Sequence, residues 1–399
     1  DAQESRGLGD VYKRQKYKLI MRQHAVAKLG VIISVILFVI GVGLYSFAKL
    51  NAADNEKEIS LFSLVPSDCI GLLETDNIEF ITNDFAQVAY SSQLDTLQGK
   101  AILWDLQNRL RAYVADNTHG LSNHVSRVLV SFHSMDYSSR NVIVYFQATD
   151  FGKKVLRQMF QGINSGFSPK KEVYRNEKIE IYAAQNKDFI ATYEEDAFLV
   201  VSYQKRLIEQ VIDVCKGASS LEDLLPFSGR DENQQKEFNY VTLYGRTSSV
   251  PLLSRNHEHC WGAFDIHLNS EVFYLNGEVY EPDSCIRYVT EELKHIPPIA
   301  SDSLLVMAGQ NRVDSCISSV IALSDHSLFE ECISNLSRDA SFILVTDMDR
   351  VIQHPEAYAD YLPPFIVEHA SLFRSFILSV QVTLVENKLS HIFVFTYKE

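Results

Sequence analysis

The chain has 399 residues, of which 46% are hydrophobic and 22% are charged, values that are typical of folded proteins and exclude a disordered chain. Its formal net charge is −14, so its surface repels nucleic acid and anionic lipid headgroups, and we expect no nucleic-acid partner. Acidity of this kind favours solubility and does not select a substrate.

Residues 1–20 are expected not to belong to the natural protein. The stretch from Ser5 to Gln15, SRGLGDVYKRQ, resembles the translation of a transposase adapter used in preparing sequencing libraries. A segment of this kind does not contribute to the fold of the natural protein. Met21 is then the expected start, and residues 21–28 form a cytoplasmic tail that is too short for a signalling domain.

The apolar run Leu29–Ala48 predicts a single transmembrane helix. It has no charged residue, and as a helix it is long enough to cross the roughly 30 Å hydrocarbon core of a bilayer. Arg22 and Lys28 precede it, which places the N-terminus in the cytoplasm and the body outside the inner (plasma) membrane. A cleaved signal peptide stays open as an alternative, because an Ala-Ala pair follows at 52–53, although the apolar core of such peptides is usually about 7 to 15 residues.

After a linker over 49–60, the patterns predict a body of paired strands and helices. Apolar periodicity predicts strands over 70–74, 127–134, 141–149, 172–175, 178–183, 189–193, 198–202, 240–246, 263–268, 272–280, 304–308, 376–385 and 389–397. It predicts helices from 78 onward, over 97–114, 152–163 and 205–216, and one that closes near 293. Ser202 is expected to cap the helix over 205–216, and Gly217 is expected to end it.

These elements predict an α+β fold, in which the transmembrane helix is followed by mainly antiparallel sheets with packed helices. A first unit over 61–295 contains a meander from 172 to 202, and a second unit covers 296–399. The second unit repeats an order of elements found at the start of the first: proline, Ser-Asp, a strand, an asparagine and helices. Because both copies later reach a pair of strands, this order suggests an internal duplication.

Six cysteines would permit disulfides in an oxidising compartment. A body of more than 300 residues can build its core without them, and several of the cysteines lie in apolar contexts that suit buried thiols. If any disulfide forms, the first expected pair is Cys260 with Cys285, which flank the predicted hairpin.

Three segments resemble a known family. They are VPSD followed by a strand at 65–68, FLVVSYQKRLIEQVI at 198–212 and LNGEVYEP at 275–282. With the short basic N-terminus and the anchor, this layout resembles uncharacterised single-anchor envelope proteins of Gram-negative bacteria, catalogued as a domain of unknown function. The resemblance covers most of residues 21–399. It implies a periplasmic location for the body and supplies no active-site residue.

The metal-ligand candidates are His257 and His259, which lie next to Cys260. In a strand the two histidines share one face and Cys260 lies on the other, which is poor geometry for a single ion. A structural zinc site needs four ligands, and no other Cys/His cluster lies nearby in sequence. We therefore expect a polar start of a strand, with no metal and no cofactor.

Two further short patterns have ordinary structural interpretations. Ser202 and Lys205 match S-x-x-K, in which a lysine activates a serine nucleophile, but the companion motifs of that family are absent and a helix start explains both residues. Asp347 and Asp349 are able to hold a cation, but the rest of a calcium loop is missing and a solvated turn is the favoured interpretation.

Two classes of function remain, and no catalytic residue is identified. The favoured one is a non-enzymatic binding or assembly module of the cell envelope, whose partner is another envelope protein or a cell-wall component. The alternative is an envelope hydrolase whose catalytic residues come from distant segments. Titratable groups that converge in a deep pocket would favour the hydrolase, and a shallow surface would favour the binding module.

Overall fold

The computed structural model describes residues 59–77, 124–133, 141–161, 168–183, 189–223, 241–246, 260–280, 299–300, 304–308, 328–336, 340–358, 362, 373–385 and 388–398. Every described residue belongs to one compact unit, which covers residues 59–399. The predicted anchor Leu29–Ala48 and its flanks therefore lie outside the described residues. In the part of the chain that is described, no helix is both long and apolar enough to cross a membrane.

The described strands are fifteen. They are β1 (Gly71–Thr75), β2 (Val125–Phe132), β3 (Val142–Ala148), β4 (Lys170–Tyr174), β5 (Glu177–Ala183), β6 (Phe189–Glu195), β7 (Phe198–Ser202), β8 (Val241–Arg246), β9 (Trp261–Leu268), β10 (Val272–Tyr280), β11 (Ile299–Ala300), β12 (Leu304–Ala308), β13 (Phe342–Asp347), β14 (Phe376–Val385) and β15 (Lys388–Tyr397). They form one antiparallel sheet in the order β11-β12-β13-β14-β15-β10-β9-β8-β1-β2-β3-β7-β6-β5-β4.

Helices pack on this sheet. Those described are α1 (Asp150–Gln161), α2 (Lys205–Cys215), α3 (Leu328–Ser334), α4 (Met348–Gln353) and α5 (Pro355–Tyr358), and a 3₁₀ turn (Leu61–Leu64) precedes β1. Helix α2 forms because its apolar residues recur at helical spacing and bury one stripe. It ends at Cys215, and Gly217, two residues later, has a φ of 100° that is readily adopted only without a side chain.

Alternate side chains of each strand point to opposite faces of the sheet, so both faces need cover. In the β1 to β7 region, one face packs beneath the 3₁₀ turn and α2, and we name it face A; its core includes Leu72, Leu129, Tyr145 and Val200. The opposite face, face B, packs beneath α1; its core includes Val130, Val144, Phe146 and Leu199. Strand β3 is therefore buried on both sides, as its continuous apolar sequence predicts.

The β12 to β15 region has its own two cores. Face B packs against α4 and α5 around Phe342, Val380 and Phe395. Face A packs against α3 around Ile343 and Val345. The same continuous sheet is thus covered by different helices at its two ends.

The predicted fold class, α+β with several sheets and an internal duplication, is wrong. The described strands form one sheet, because β10, which was expected in the first unit, pairs in register with β15, which was expected in the second, with Asn276 opposite Ile392. The two strands expected to be equivalent also differ in position, since β1 lies between β8 and β2 whereas β12 lies beside the outermost strand β11. The boundary between units 61–295 and 296–399 stays a prediction.

Most predicted strands occur within two or three residues of their expected positions. The predicted helices over 152–163 and 205–216 correspond to α1 and α2, whereas those from 78, over 97–114 and near 293 lie outside the described residues. Ser202 does not cap α2. The residue before that helix is Gln204, while the Ser202 hydroxyl donates to the Val142 carbonyl at 2.9 Å.

Candidate functional site

Asp68, His133 and Ser131 form a chain of hydrogen bonds at one end of β2. The Ser131 hydroxyl lies 2.7 Å from His133 Nε2, and His133 Nδ1 lies 2.8 Å from Asp68 Oδ1. Ser131 and His133 share face A because they are two residues apart, and Asp68 reaches them from the turn that leads into β1. These are the atoms and distances of a catalytic serine-histidine-aspartate triad. We call the three residues the relay.

Neighbouring side chains hold the relay in place. Tyr145 lies on the adjacent strand, and the Ser131 hydroxyl is 3.4 Å from its hydroxyl. Gln210 of α2 donates to Asp68 Oδ2 at 3.4 Å. The hydrogen bond from His133 lowers the pKa of Asp68, and burial raises the pKa of Tyr145 well above its usual range. The tyrosine therefore stays neutral.

The burial of the relay is the reverse of what a hydrolase needs. Ser131 is completely buried and the His133 side chain is only 2% exposed, whereas the Asp68 side chain is 51% exposed. A nucleophile must meet its substrate, and the carboxylate that orients the histidine is normally the buried member. The relay is therefore exposed at its carboxylate and buried at its potential nucleophile.

The backbone around Ser131 is paired with both neighbouring strands of the sheet. Ser131 pairs with Leu72 on one side and Ile143 on the other, and Phe132 pairs with Gly71 and Val142. An oxyanion hole needs N–H groups that point at the reacting carbonyl, and these two lie within the ladders. In this conformation the relay joins the opening turn to β2 and has no geometry for acyl transfer.

A second polar arrangement crosses the sheet on face A. Glu74, Thr242, Asp265 and Asn276 lie side by side in register on β1, β8, β9 and β10. The row is buried at Glu74, which is 1% exposed and accepts a hydrogen bond from Tyr244 at 3.0 Å. It reaches solvent at Asp265 and Asn276.

Arg127 supplies the charge that a buried carboxylate requires. Its guanidinium nitrogen Nη1 lies 3.6 Å from Glu74 Oε1, and the Arg127 side chain is 30% exposed. Glu74 is thus paired and hydrogen-bonded, which explains how the sheet tolerates it. Because Glu74 is buried, a ligand is able to contact this row only at its exposed end, at Asp265 and Asn276.

That exposed end belongs to the hairpin of β9 and β10. We name Asp265, His267, Tyr274 and Asn276 the hairpin face. Asp265, His267 and Asn276 are exposed and Tyr274 is half-buried. Thr242 donates to Asp265 Oδ1 at 2.8 Å, and the rings of His267 and Tyr274 stack with centroids 4.6 Å apart and planes within 13° of parallel.

The hairpin face is a continuation of a buried surface. On the same face of β9, Trp261 and Ala263 pack in the core beneath α2, and the next two outward residues, Asp265 and His267, lie beyond that core. Beyond β10 and β15, face A is covered again around α3. The hairpin face therefore lies between two helix-covered regions of one sheet.

The sequence candidates do not form sites among the described residues. His257 and His259 lie outside those residues, and Cys260 is a buried thiol and not half of a disulfide, so the expected pair with Cys285 is wrong. Within the described ranges, no group of three or more His, Cys, Asp or Glu side chains is arranged to hold a metal ion.

The S-x-x-K pattern has no catalytic geometry. The Lys205 ammonium binds Glu172 at 2.8 Å and Glu209 at 3.2 Å, and these carboxylates raise its pKa. A lysine that acts as a base needs a lowered pKa. The Ser202 hydroxyl is directed to a strand carbonyl instead.

The pair Asp347 and Asp349 is occupied by protein groups. Asp347 accepts a hydrogen bond from the Asp349 amide at 2.9 Å as the N-cap of α4, and it also binds Lys398. Asp349 binds Arg374 at 2.9 Å. Lys398 and Arg374 therefore occupy the carboxylates that a bound cation would need.

Comparisons of the chain with protein-family models, curated proteins and solved structures find no match. The resemblance to single-anchor envelope proteins and the predicted location stay predictions. Sequence reasoning missed both polar arrangements. The alternation of Ser131 and His133 on a predicted strand indicated that they share a face, but no local pattern connects them to Asp68. No local pattern shows that Asp265 and Asn276 lie opposite each other either.

Proposed function

We propose that this chain is a binding module of the cell envelope, held at the membrane by residues 29–48, and that the hairpin face is its contact surface. One observation carries the proposal. On β9 the buried pattern of Trp261 and Ala263 changes to exposed Asp265 and His267 on the same face, although neighbouring regions of that face are covered. Exposed polar and aromatic side chains fixed on strands suit a binding site, because strands hold them rigidly.

The relay gives the hydrolase a specific observation in its favour, since its distances match a triad. Its burial weighs against that function, because Ser131 is inaccessible while Asp68 is half exposed. An enzyme of this kind would have to expose a side chain in the middle of a sheet. We therefore favour binding over catalysis.

A photo-crosslinking amino acid placed at Asn269, which is exposed in the turn between β9 and β10 and is not one of the four residues, tests the proposal. In the native host, with the full chain in its membrane, we expect ultraviolet light to attach a specific envelope component at this position. A matched probe at Val173, which is 74% exposed on the outermost strand β4, should attach nothing specific. Adding Asp265→Ala to the Asn269 probe should strongly reduce the yield of the adduct.

Equal labelling from Asn269 and Val173, or no adduct from either, would contradict the hairpin face as the contact surface. An adduct whose yield Asp265→Ala leaves unchanged would also contradict it, because Asp265 belongs to that face.

A further inference from the structure

We propose that the ligand of the hairpin face is a hydroxyl-rich glycan strand of the cell wall. This rests on the proposed binding function and names the class of its ligand. The four side chains of the hairpin face are a carboxylate, a carboxamide, an imidazole and a phenol. No Lys or Arg occurs in either β9 or β10.

The polar pair offers both halves of the hydrogen bonding that sugar hydroxyls require. The Asp265 carboxylate accepts hydrogen bonds through both oxygens. The bond from Thr242 occupies one of its roughly four lone-pair acceptor sites. Asn276, directly opposite, supplies two donors and an acceptor. Cross-strand neighbours have Cβ atoms about 4.5 to 5.5 Å apart, close enough for both side chains to bind one sugar ring.

The aromatic pair suits the other surface of a sugar. His267 and Tyr274 are opposite each other on the hairpin and stack on one another, so their orientation is set before a ligand arrives. An aromatic ring with a polar tip packs against apolar C–H groups while it still forms hydrogen bonds at its edge. A pyranose ring presents C–H groups on its faces and hydroxyls at its rim, which matches this arrangement.

The hairpin register keeps these groups in position. A Cβ atom at Gly277 would lie 1.9 Å from the Ala263 carbonyl oxygen, so the two strands approach too closely for any other residue there. This contact fixes the register that sets Asp265 opposite Asn276 and His267 opposite Tyr274. Fixed side chains lose little conformational entropy on binding.

Other occupants fit less well. Asp265 is the exposed carboxylate here, and Glu278, the next carboxylate on this face of β10, is half-buried and accepts a hydrogen bond from Tyr280, so a cationic peptide finds little charge to bind. Ile392 and Val394 of β15 lie opposite Asn276 and Tyr274 but are half-buried, so an apolar protein surface finds no exposed large aliphatic side chain. Hydrogen bonds and ring packing are what the hairpin face offers.

Two probes test the proposal with the full chain in detergent micelles. The first is chitotetraose, followed by saturation-transfer NMR and titration, and the second is sedimentation with purified cell-wall sacculi. We expect saturable binding of both. Tyr274→Ala or Asp265→Ala should weaken binding about tenfold, which corresponds to the loss of one packed ring or one charged hydrogen-bond partner. The matched control Phe151→Ala removes an aromatic side chain that is 54% exposed on α1, and it should change binding less than about twofold.

Folding of each variant is checked by urea unfolding. If Tyr274→Ala proves unstable, Asn276→Leu, at an exposed position, replaces it and should weaken binding by a similar factor. Absence of saturable binding to both probes, or binding that these variants leave unchanged, overturns the glycan assignment. A protein adduct at the Asn269 probe, or preferential binding of a decalysine peptide, overturns the glycan while the binding module stands. Absence of any specific adduct at the Asn269 probe overturns the binding module itself.

Discussion

Asp68 connects the relay to solvent, and its pKa gives the relay a measurable pH dependence. The carboxyl is stabilised in its charged form by the bond from His133, so its pKa is lowered in the folded protein. Such a group stabilises the fold above its unfolded pKa of about 3.9, and this stabilisation is lost as the pH falls through the lower folded value. Because the side chain is half exposed, the expected contribution is only about 0.5 kcal/mol.

We therefore expect Asp68→Asn to lower the free energy of unfolding by about 0.5 kcal/mol near neutral pH and to have little effect well below the unfolded pKa of about 3.9. Urea unfolding across this range measures the difference. In a His133→Asn background, Asp68→Asn should lower the free energy of unfolding by less, and this loss should depend less on pH, because the hydrogen-bond partner of Asp68 is already absent. An equal cost in both backgrounds would show that the bond does not contribute.

Ser131 decides between a structural and a catalytic relay. Because the serine is completely buried and its neighbouring amides lie in ladders, we expect a fluorophosphonate probe not to label the native full chain. The labelled sample is digested and analysed by mass spectrometry, with Ser131→Ala as the control. Covalent label on Ser131 that disappears in Ser131→Ala would support the hydrolase function and contradict a purely structural role of the relay.

At the scale of elements, the β9 and β10 hairpin depends on one glycine. Gly277→Ala places a Cβ against the backbone of Ala263, which is unable to move without separating the strands. We expect a loss of about 2 to 4 kcal/mol in the free energy of unfolding, measured by urea denaturation. Gly245→Ala is the matched control, since nothing lies within 4 Å of its added Cβ, and a similar loss in both would indicate a general cost of replacing strand glycines.

The local elements were largely predictable from the sequence, for reasons visible at single strands. Strand β3 has a continuous apolar sequence because it is buried on both faces. Helix α2 and its stop at Gly217 follow from apolar spacing and the positive φ. The Ser202 cap was wrong because that hydroxyl binds the β3 backbone, a contact between distant segments.

At the scale of the molecule, the pairing of β8 with β1 was not predictable. More than 160 residues separate the paired Leu72 and Tyr244, and nothing in either strand's alternation specifies its partner. The α+β prediction placed these strands in one unit and the strands from residue 296 onward in another, and the pairing of β10 with β15 that joins the two units was equally unpredictable. The hairpin face depends on β8 as well, because Thr242 of β8 donates a hydrogen bond to Asp265.

The arrangement of cores predicts that the two ends of the sheet open separately. The core around Phe395 takes its residues from β9 onward, and the core around Phe146 takes its residues from β2 to β7 and α1. Because these cores share no residue, Phe395→Ala should speed hydrogen exchange in β13 to β15 while β3 and β7 keep their protection. Phe146→Ala should do the reverse. Native-state hydrogen exchange read by mass spectrometry measures both variants, and uniform loss of protection over all described strands would show that the sheet unfolds as one unit. The position at which protection changes would also test the predicted boundary near residue 295.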